Sequence, residues 1–352
     1  MLKILHLNNY ISHTSGVTRY IYHIVKNTND IFENEIICLG GDAVELFNDQ
    51  NIKVTVFKYS GLSSLPGIYF FLRNYCKKNK IDIIHNHHRI FDAITVNLPL
   101  GNYKTVTTVH SKVYGRKFIS YKADNLISVS ESITKHLVKY YKIFPSKIKR
   151  MKNFVDISDV KTTLEKGLLK KQLGLTDQIV IMFIGRFNKE KGVDILVTAM
   201  KELYSINKKV LLVMLGSGEE EMSLKNFCFE NKLPLRIIEP VRNVYDYYNI
   251  ADVIVLPSRV DPFPYVMLES GLMSKPFIGS NVDGLSELIK QGDNGLFFEK
   301  ENARELLACI QMILGNQTLA EQISHNLHDE VIKNYSVEKV IPEYISFYNS
   351  LV

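Results

Sequence analysis

The sequence predicts two α/β domains in series, each a doubly wound parallel sheet with helices on both faces. Its 352 residues are too many for one ordinary core and suit two domains. Short aliphatic runs alternate with segments whose apolar residues recur every three or four positions, an order typical of such sheets. A polar stretch over residues 156–172 then precedes a new strand. We therefore expect domains over 1–160 and 161–336, with a closing helix near 337–352 that packs back on the first.

The expected strands are short runs rich in Val, Ile, Leu and Phe. In the first domain they are Lys3–Leu7, Glu35–Leu39, Lys53–Phe57, Ile81–His85, Lys104–Val109 and Asn125–Val129. In the second domain they are Gln178–Ile184, Lys209–Leu215, Leu235–Ile238, Val253–Leu256 and Pro276–Gly279. Helical spacing is clear in Val17–Lys26, Val193–Tyr204 and Ala303–Leu314. Ligands of such sheets bind beyond the carboxyl ends of the strands, which predicts a cleft between the two domains.

The composition excludes several classes of protein. With 46% hydrophobic and 23% charged residues, the chain is neither disordered nor collagen-like. Its four cysteines, Cys38, Cys76, Cys228 and Cys309, have no C-x-x-C spacing, which favours reduced thiols over a zinc knuckle or a disulfide framework. The N-terminus has no signal-peptide pattern, and no apolar run reaches about 20 residues. We therefore expect a cytoplasmic protein.

The charge is unevenly distributed along the chain. Residues 1–160 carry 22 Lys and Arg against 12 Asp and Glu, whereas residues 161–352 carry 21 against 25. In the basic half, Pro66–Lys80 and Ile133–Lys152 place aromatic residues beside cations. As helices, these segments suit an anionic membrane surface, and an ordinary solvated helix face is the equal alternative. Nucleic acid is not expected as a partner, because no recognition-helix motif or RNP-type strand is present.

Two cations follow the first strand of the second domain. Ile179–Gly192 is a buried run, a glycine turn, and then Arg186 and Lys191 five residues apart, just before a helix. A helix N-terminus with two cations favours a diphosphate, and a solvated basic loop is the alternative. Gly216 ends another strand and permits close approach of a ligand. The dinucleotide-binding pattern G-x-G-x-x-G is incomplete there, because Glu221 stands in place of the third glycine. This favours a turn that borders the cleft.

Two carboxylates, Asp261 and Glu269, flank a loop that contains Pro262 and Pro264 and the start of a helix near Tyr265. Such carboxylates can hold the hydroxyls of a ribose and a hexose by charge-assisted hydrogen bonds. Each also has a structural alternative. Asp261 suits a helix cap, and Glu269 suits a buried partner of a basic side chain.

The run S-x-x-D-P-F-P-x-x-x-L-E-x-x-x-x-x-K-P from Ser258, followed by D-G-L-S-E-L and N-G-L-F-F, resembles the signature of the family-4 retaining glycosyltransferases of the GT-B fold. The resemblance, to the bacterial surface-polysaccharide type, covers essentially the whole chain. Further matching segments are Thr14–Tyr20, Asp82–His87, Thr108–His110, Asn153–Asp156, Gly185–Arg186 and Lys191–Gly192. The resemblance implies two Rossmann-like domains that face each other across a cleft. The N-terminal domain would lie on the acceptor side, and the C-terminal domain would bind the nucleotide sugar.

The resemblance also implies roles for individual residues. Arg186 and Lys191, with backbone amides near Gly16, would stabilise charge on the leaving diphosphate. Glu269 would hold the donor ribose and Asp261 the sugar hydroxyls. His110 would contact the sugar or the acceptor near the reacting centre. The implied substrate-binding residues are Gly16, Arg19, Asn153, Gly185, Gly216, Val241, Pro262, Phe263, Pro264 and Gly284.

The implied reaction transfers a hexose-type sugar, with retention, from a nucleoside-diphosphate sugar to a hydroxyl of a glycan or lipid-linked glycan. The products would enter capsule, exopolysaccharide or lipopolysaccharide. A lipid-linked acceptor would place the protein peripherally at the inner face of the plasma membrane. No D-x-D motif lies between the domains, so neither a metal nor another cofactor is expected. Three departures from the family pattern, Ser15, Phe154 and Asp261, leave the sugar open.

Other interpretations use the same residues differently. His85, His87 and His88 could ligate a metal, but no carboxylate lies nearby in sequence, which favours core or cleft histidines. A non-catalytic sugar- or nucleotide-binding partner subunit and a GT-B-like sugar-nucleotide epimerase are the alternative functions. Epimerases of this fold lack the spacing between Asp261 and Glu269 seen here. A binding subunit has no use for four charged residues together, namely Arg186, Lys191, Asp261 and Glu269.

Overall fold

A computed structural model describes residues 1–58, 61, 64–97, 101–175 and 177–352. The chain divides into two compact units. The first unit comprises Met1–Phe154 together with Val337–Val352, and the second comprises Val155–Ser336. Each unit is built on one parallel sheet, and helices connect most successive strands, Lys104–Val109 and Asn125–Ser128 being joined without one in the described residues.

Thirteen strands are present in the described residues. They are β1 (Lys3–Asn8), β2 (Glu33–Cys38), β3 (Lys53–Val56), β4 (Ile83–Asn86), β5 (Lys104–Val109), β6 (Asn125–Ser128), β7 (Ile148–Arg150), β8 (Ile179–Ile184), β9 (Val210–Leu215), β10 (Leu235–Ile238), β11 (Val253–Leu256), β12 (Phe277–Ser280) and β13 (Leu296–Phe298).

The same residues form fourteen α-helices. They are α1 (Gly16–Lys26), α2 (Val44–Asn48), α3 (Leu65–Asn79), α4 (Arg89–Asn97), α5 (Glu131–Lys139), α6 (Lys166–Gln172), α7 (Val193–Ile206), α8 (Glu221–Glu230), α9 (Tyr245–Ile250), α10 (Tyr265–Leu272), α11 (Leu285–Leu288), α12 (Ala303–Gly315), α13 (Gln317–Tyr335) and α14 (Val337–Ser350). Helix α14 returns to the first unit and packs against α1.

Both sheets have the doubly wound strand order. The first is β3-β2-β1-β4-β5-β6-β7 and the second is β10-β9-β8-β11-β12-β13. The order reverses between β1 and β4 in the first sheet, and between β8 and β11 in the second. Ligands of open α/β sheets bind at these reversal points, beyond the carboxyl ends of the strands.

The central strands are apolar because helices cover both faces of each sheet. All six residues of β9 are buried, as are five of the six in β8. Helix α1 buries Tyr20, Ile21, Ile24 and Val25 on one face, and the Ser15 side chain caps its N-terminus. Burial of these apolar faces holds each sheet and its helices together.

The eleven predicted strands all occur, each within two residues of its expected bounds. The short strands β7 and β13 were missed, because three residues are too few for a periodic pattern. The expected helix over 133–152 is wrong beyond Lys139, where α5 ends. A 3₁₀ turn and the edge strand β7 follow, and their lysines therefore share no helical face. Within the described ranges, no helix is long and apolar enough to cross a membrane.

Candidate active site

The carboxyl edge of the second sheet collects most of the residues proposed from the sequence. Gly185 and Arg186 follow β8, Gly216 follows β9, Val241 follows β10, Asp261–Pro264 follows β11 and Gly284 follows β12. Because these five strands are parallel and adjacent, the segments that follow them lie along one edge. Residues up to 99 positions apart in the sequence are thereby brought to the same side of the unit.

Lys191 and Asp261 form a direct ion pair between the Lys191 Nζ and the Asp261 Oδ2. Asn188 positions the lysine, because its Oδ1 accepts a hydrogen bond from the Lys191 backbone N–H at 3.0 Å. Gly192 then takes φ of +64° at the start of α7. The Asp261 side chain is 7% exposed and that of Lys191 is 21% exposed. The predicted phosphate-binding cation is thus oriented by the first carboxylate of the acidic pair.

Arg259 joins three segments around this ion pair. Its guanidinium donates to both carboxylate oxygens of Asp194 at 2.8 Å, and to those of Glu301 at 2.6 and 2.7 Å. It also donates to the Lys189 carbonyl at 2.6 Å. Hydrogen bonds from Arg259 lower the pKa of both carboxyls. The role of Arg259 is not readable from the sequence, because its partners lie 42 to 70 positions away.

The loop after β11 is held in place by backbone and side-chain contacts. Ser258 Oγ donates to Asp261 Oδ2 at 3.2 Å, and the Gly284 N–H donates to the Asp261 carbonyl at 3.1 Å. A Cβ on Gly284 would lie 1.7 Å from the Pro262 carbonyl oxygen, so only glycine fits there. Helix α10 begins after Pro264, and no side chain caps it. The Asp261 carboxylate therefore contacts Lys191 and Ser258 and is not a helix cap.

Glu269 is a buried carboxylate in α10, with 2% exposure. Its Oε2 accepts a hydrogen bond from the Tyr248 hydroxyl at 2.7 Å, which connects α10 to α9. Phe263 is also buried and stacks on Tyr335, with ring centroids 5.5 Å apart. The Phe263 ring thus belongs to the core, while Glu269 is held by the hydroxyl of Tyr248, a residue that no sequence pattern selects.

Gly216 has a packing role of its own. A Cβ at this position would lie 1.9 Å from the Gly185 carbonyl oxygen, and its φ is +145°. The ends of β8 and β9 therefore approach each other closely only because this residue is glycine. This close approach is within the protein and requires glycine whether or not a ligand binds nearby.

Lys275, the lysine of the K-P pair, is structural. Its ammonium donates to the carbonyls of Asn249 at 2.9 Å and Ala251 at 3.0 Å. Burial lowers its pKa to about 8. The side chain thereby connects the end of α9 to the start of β12.

In the first unit, the proposed residues again follow neighbouring strands. Gly16 and Arg19 follow β1, and His110 directly follows β5, with β4 between these strands. Gly16 is the exposed first residue of α1. Asn153 is buried and follows the edge strand β7.

A cluster of histidines lies beside His110 at this edge. His87 Nδ1 is 3.4 Å from His110 Nε2, and His87 Nε2 is 3.1 Å from His6 Nδ1. Burial lowers the pKa of His6 to about 4 and that of His110 to about 3, and lowers that of His87 well below its usual range. Neutral rings are therefore expected at physiological pH.

The structure groups His6, rather than His88, with His85 and His87. One ring nitrogen from each of these three lies within 4.8 Å of the others, a spacing open to a metal ion. Both nitrogens of His85, however, already contact hydroxyls, those of Tyr348 at 2.6 Å and Thr108 at 2.7 Å. The cluster is therefore accounted for by hydrogen bonds within the protein.

Several residues with contacts described above were not selected from the sequence, among them His6, Tyr248 and Arg259. A polar residue inside an apolar strand, such as His6 in β1, is a usable signal for a buried hydrogen-bonding group. Tyr248 lies in a segment without a distinguishing pattern, and Arg259 stands at an unspecified position of the run that begins at Ser258. Only their contacts in the folded chain identify them.

Comparisons with known proteins agree with this architecture. A family model described as Glycosyltransferase Family 4 matches residues 14–159, and one described as Glycosyl transferases group 1 matches residues 165–329. An uncharacterised glycosyltransferase of Methanocaldococcus jannaschii is 27% identical over 362 residues, covering 97% of this chain and 96% of that protein.

Two further comparisons add named proteins. The capsular polysaccharide biosynthesis glycosyltransferase CapM of Staphylococcus aureus is 28% identical over 246 residues, 67% of this chain and 64% of that protein. The structure of Anabaena HepE with UDP-glucose superimposes with a TM-score of 0.89 at 19% identity and covers both chains completely. Since the two family models together span most of the chain, it belongs to the glycosyltransferases of the GT-B fold, with a family 4 N-terminal part and a group 1 C-terminal part.

Proposed function

We propose that this glycosyltransferase moves a hexose-type sugar from a nucleoside-diphosphate sugar, with retention, to a hydroxyl of a glycan or lipid-linked glycan in surface polysaccharide assembly. The observation that carries the proposal is the Lys191–Asp261 ion pair at the carboxyl edge of the second sheet. The relative named for capsular polysaccharide biosynthesis and the neighbour that binds UDP-glucose support it.

The leaving diphosphate is assigned to the turn between β8 and α7. Arg186 is exposed there, and Lys191 is held by Asp261. An ammonium has three N–H donors, so Lys191 keeps donors for phosphate oxygens while it contacts Asp261. The N-terminus of the 14-residue helix α7 adds a favourable dipole. These groups supply the positive charge for the departing diphosphate, and we propose that no metal is required.

The two carboxylates are assigned to hydroxyl groups of the donor. Asp261 would accept hydrogen bonds from the transferred sugar, close to the lysine that binds the diphosphate. Glu269, oriented by Tyr248, would accept hydrogen bonds from the ribose. Ionised carboxylates accept several hydrogen bonds and hold hydroxyls more strongly than neutral groups do.

Retention places the acceptor on the same face as the leaving group. His110 is a poor general base, because burial lowers its pKa to about 3. We therefore assign the acceptor proton to the departing phosphate oxygen, which gains negative charge as the glycosidic bond breaks. His110 would contact the sugar or the acceptor by hydrogen bonding alone.

The function is tested by incubating the protein with UDP-, GDP-, ADP- and dTDP-hexoses and measuring nucleoside diphosphate release without acceptor. We expect slow release from one donor, lost in Lys191→Ala and Glu269→Ala, because these variants remove the charged groups that hold it. Lys189→Ala is the matched control, since Lys189 is an exposed lysine of the same turn. Equilibrium dialysis that finds a donor bound but never cleaved, with or without acceptor, would favour the binding-subunit alternative.

We propose a lipid-linked acceptor because of exposed groups on the first unit. On α3, Phe70, Arg73 and Lys77 are spaced by three and four residues and are all exposed. After β5, Phe118 is 92% exposed and Tyr114 is 63% exposed, beside two exposed cations. Aromatic residues and cations together suit an anionic bilayer surface.

Replacing Arg73, Lys77 and Lys78 together with alanine is expected to weaken sedimentation with anionic liposomes about a hundredfold, because each near-surface cation contributes about 1 kcal/mol. Neutral liposomes should bind neither protein appreciably. The control replaces three exposed lysines of the second unit, Lys171, Lys201 and Lys209. Equal loss in both triple variants would reduce the effect to net charge and contradict a specific membrane face.

A further inference from the structure

A chain of hydrogen bonds in the first unit runs from Asn34 through His6 and His87 to His110. We propose that this chain fixes the tautomer of His110, so that its Nδ1 is an unprotonated acceptor for a substrate hydroxyl. Asn34, His6 and His87 are then positioning residues. The contact of His110 with a substrate rests on the proposed function, whereas the tautomers follow from the hydrogen bonds alone.

The orientation of the Asn34 amide is set by its surroundings. Its Nδ2 lies 3.4 Å from the Phe32 carbonyl, which can only accept a hydrogen bond. Nδ2 is also 3.1 Å from the Thr28 hydroxyl, which donates its own hydrogen to the Ile24 carbonyl at 2.8 Å. Both neighbours therefore require a donor from Asn34. The carbonyl Oδ1 consequently faces His6 Nε2, at 3.2 Å.

The proton positions then follow one after another. Asn34 Oδ1 can only accept, so His6 Nε2 carries the hydrogen and His6 Nδ1 is a lone pair. That lone pair accepts from His87 Nε2 at 3.1 Å, which leaves His87 Nδ1 as an acceptor. His110 Nε2 donates to it at 3.4 Å. The remaining nitrogen, His110 Nδ1, is an acceptor.

The surroundings keep these rings neutral and oriented. Burial disfavours the imidazolium form of His6, His87 and His110, so each ring carries one N–H. The planes of the His87 and His110 rings are inclined by 30°, with their centroids 5.7 Å apart, and the Tyr20 ring meets His110 edge-on at 4.8 Å. His85 does not interrupt the chain, because its two nitrogens contact other groups.

The catalytic consequence is moderate in size. A hydroxyl of the sugar or acceptor can donate to His110 Nδ1, and this fixes the direction in which that hydroxyl points. In the other tautomer, the same hydroxyl would have to accept instead and reorient. The cost is that of one neutral hydrogen bond, a loss in kcat/KM of up to about tenfold.

The tautomers are measured directly on wild-type protein labelled with ¹⁵N-histidine, using long-range ¹H–¹⁵N correlation spectra near pH 7.5. We expect His6, His87 and His110 to carry hydrogen on Nε2 and none on Nδ1. An Nδ1–H form of His110 would overturn the proposal. A His87 Nε2 without hydrogen would do so as well. This measurement needs no substrate and is independent of the proposed function.

Asn34→Leu tests the Asn34 end of the hydrogen-bond chain, because leucine keeps the size of asparagine and removes its polar atoms. We expect a mixed tautomer at His110 and a loss of up to about tenfold in kcat/KM. Asn86→Leu is the matched control. Asn86 is a buried asparagine of β4 whose Nδ2 contacts Thr95 and Thr107, outside the chain. The Asn86→Leu variant should keep the wild-type tautomers of His6, His87 and His110.

Unchanged tautomers in Asn34→Leu would overturn the role of Asn34. A changed tautomer at full activity would overturn the role of the chain in the reaction. Failure of the proposed function itself would be seen separately, as a wild-type protein with the expected tautomers and no turnover on any donor.

Discussion

Lys191→Ala is expected to lower kcat about 10²- to 10³-fold, the usual cost of removing one preorganised group that stabilises transition-state charge. The variant should also be less stable by about 3–5 kcal/mol, because the nearly buried Asp261 loses its cationic partner. Both effects follow from one ion pair, so the measurement combines steady-state kinetics with urea unfolding.

The two effects are separated by the variant that combines Lys191→Met with Asp261→Asn. With no buried charge left, most of the lost stability should return, whereas the rate should stay low because the ammonium assigned to the diphosphate and the carboxylate assigned to the sugar are both missing. Lys189→Ala, in the same turn, should leave both quantities close to wild type. If the rate returned together with stability, Lys191 would act through folding alone, and its assignment to the diphosphate would be wrong.

Glu269→Gln is expected to lower kcat/KM for the donor about 10- to 100-fold. The variant retains the shape of the side chain but loses the charge, and a hydrogen bond to a charged group contributes about 1.5–3 kcal/mol. Since the ribose is remote from the bond that breaks, most of the loss should appear in KM. Initial rates over a range of donor concentrations give both constants.

A donor with 2′-deoxyribose identifies the group that Glu269 holds. If Glu269 accepts from the 2′-hydroxyl, the variant and the deoxy donor remove the same interaction, and their combined effect is much less than additive. Tyr248→Phe is the control, since it removes the hydroxyl that orients Glu269 and keeps the carboxylate. Fully additive losses would contradict contact with the 2′-hydroxyl.

Much of the architecture is readable from local sequence. The apolar runs of β8 and β9 are continuous because both faces of their sheet are covered, and that burial is visible in the residues themselves. The glycine turn after β8 and the start of α7 are equally local. The residues that follow each strand could therefore be named from the sequence, because a strand end is a local feature.

The sequence-based predictions are wrong where the local pattern of residues is weak. The strand β7 has three residues at the edge of its sheet, and two of them are exposed cations. Its residues show no alternation of apolar and polar side chains, so the sequence predicts one helix over 133–152 and no strand. Pairing with β6 decides its conformation, and that pairing is a property of the folded sheet.

The sequence by itself determined the alternation of strands and helices and the chemical groups at the strand ends, because both depend on neighbouring residues. Only the tertiary structure decided which groups meet. Lys191 meets Asp261 across 70 positions, and His6 meets His87 across 81. These contacts exist because β8 lies beside β11 and β1 beside β4, and such non-local pairing is set by packing of the whole sheet.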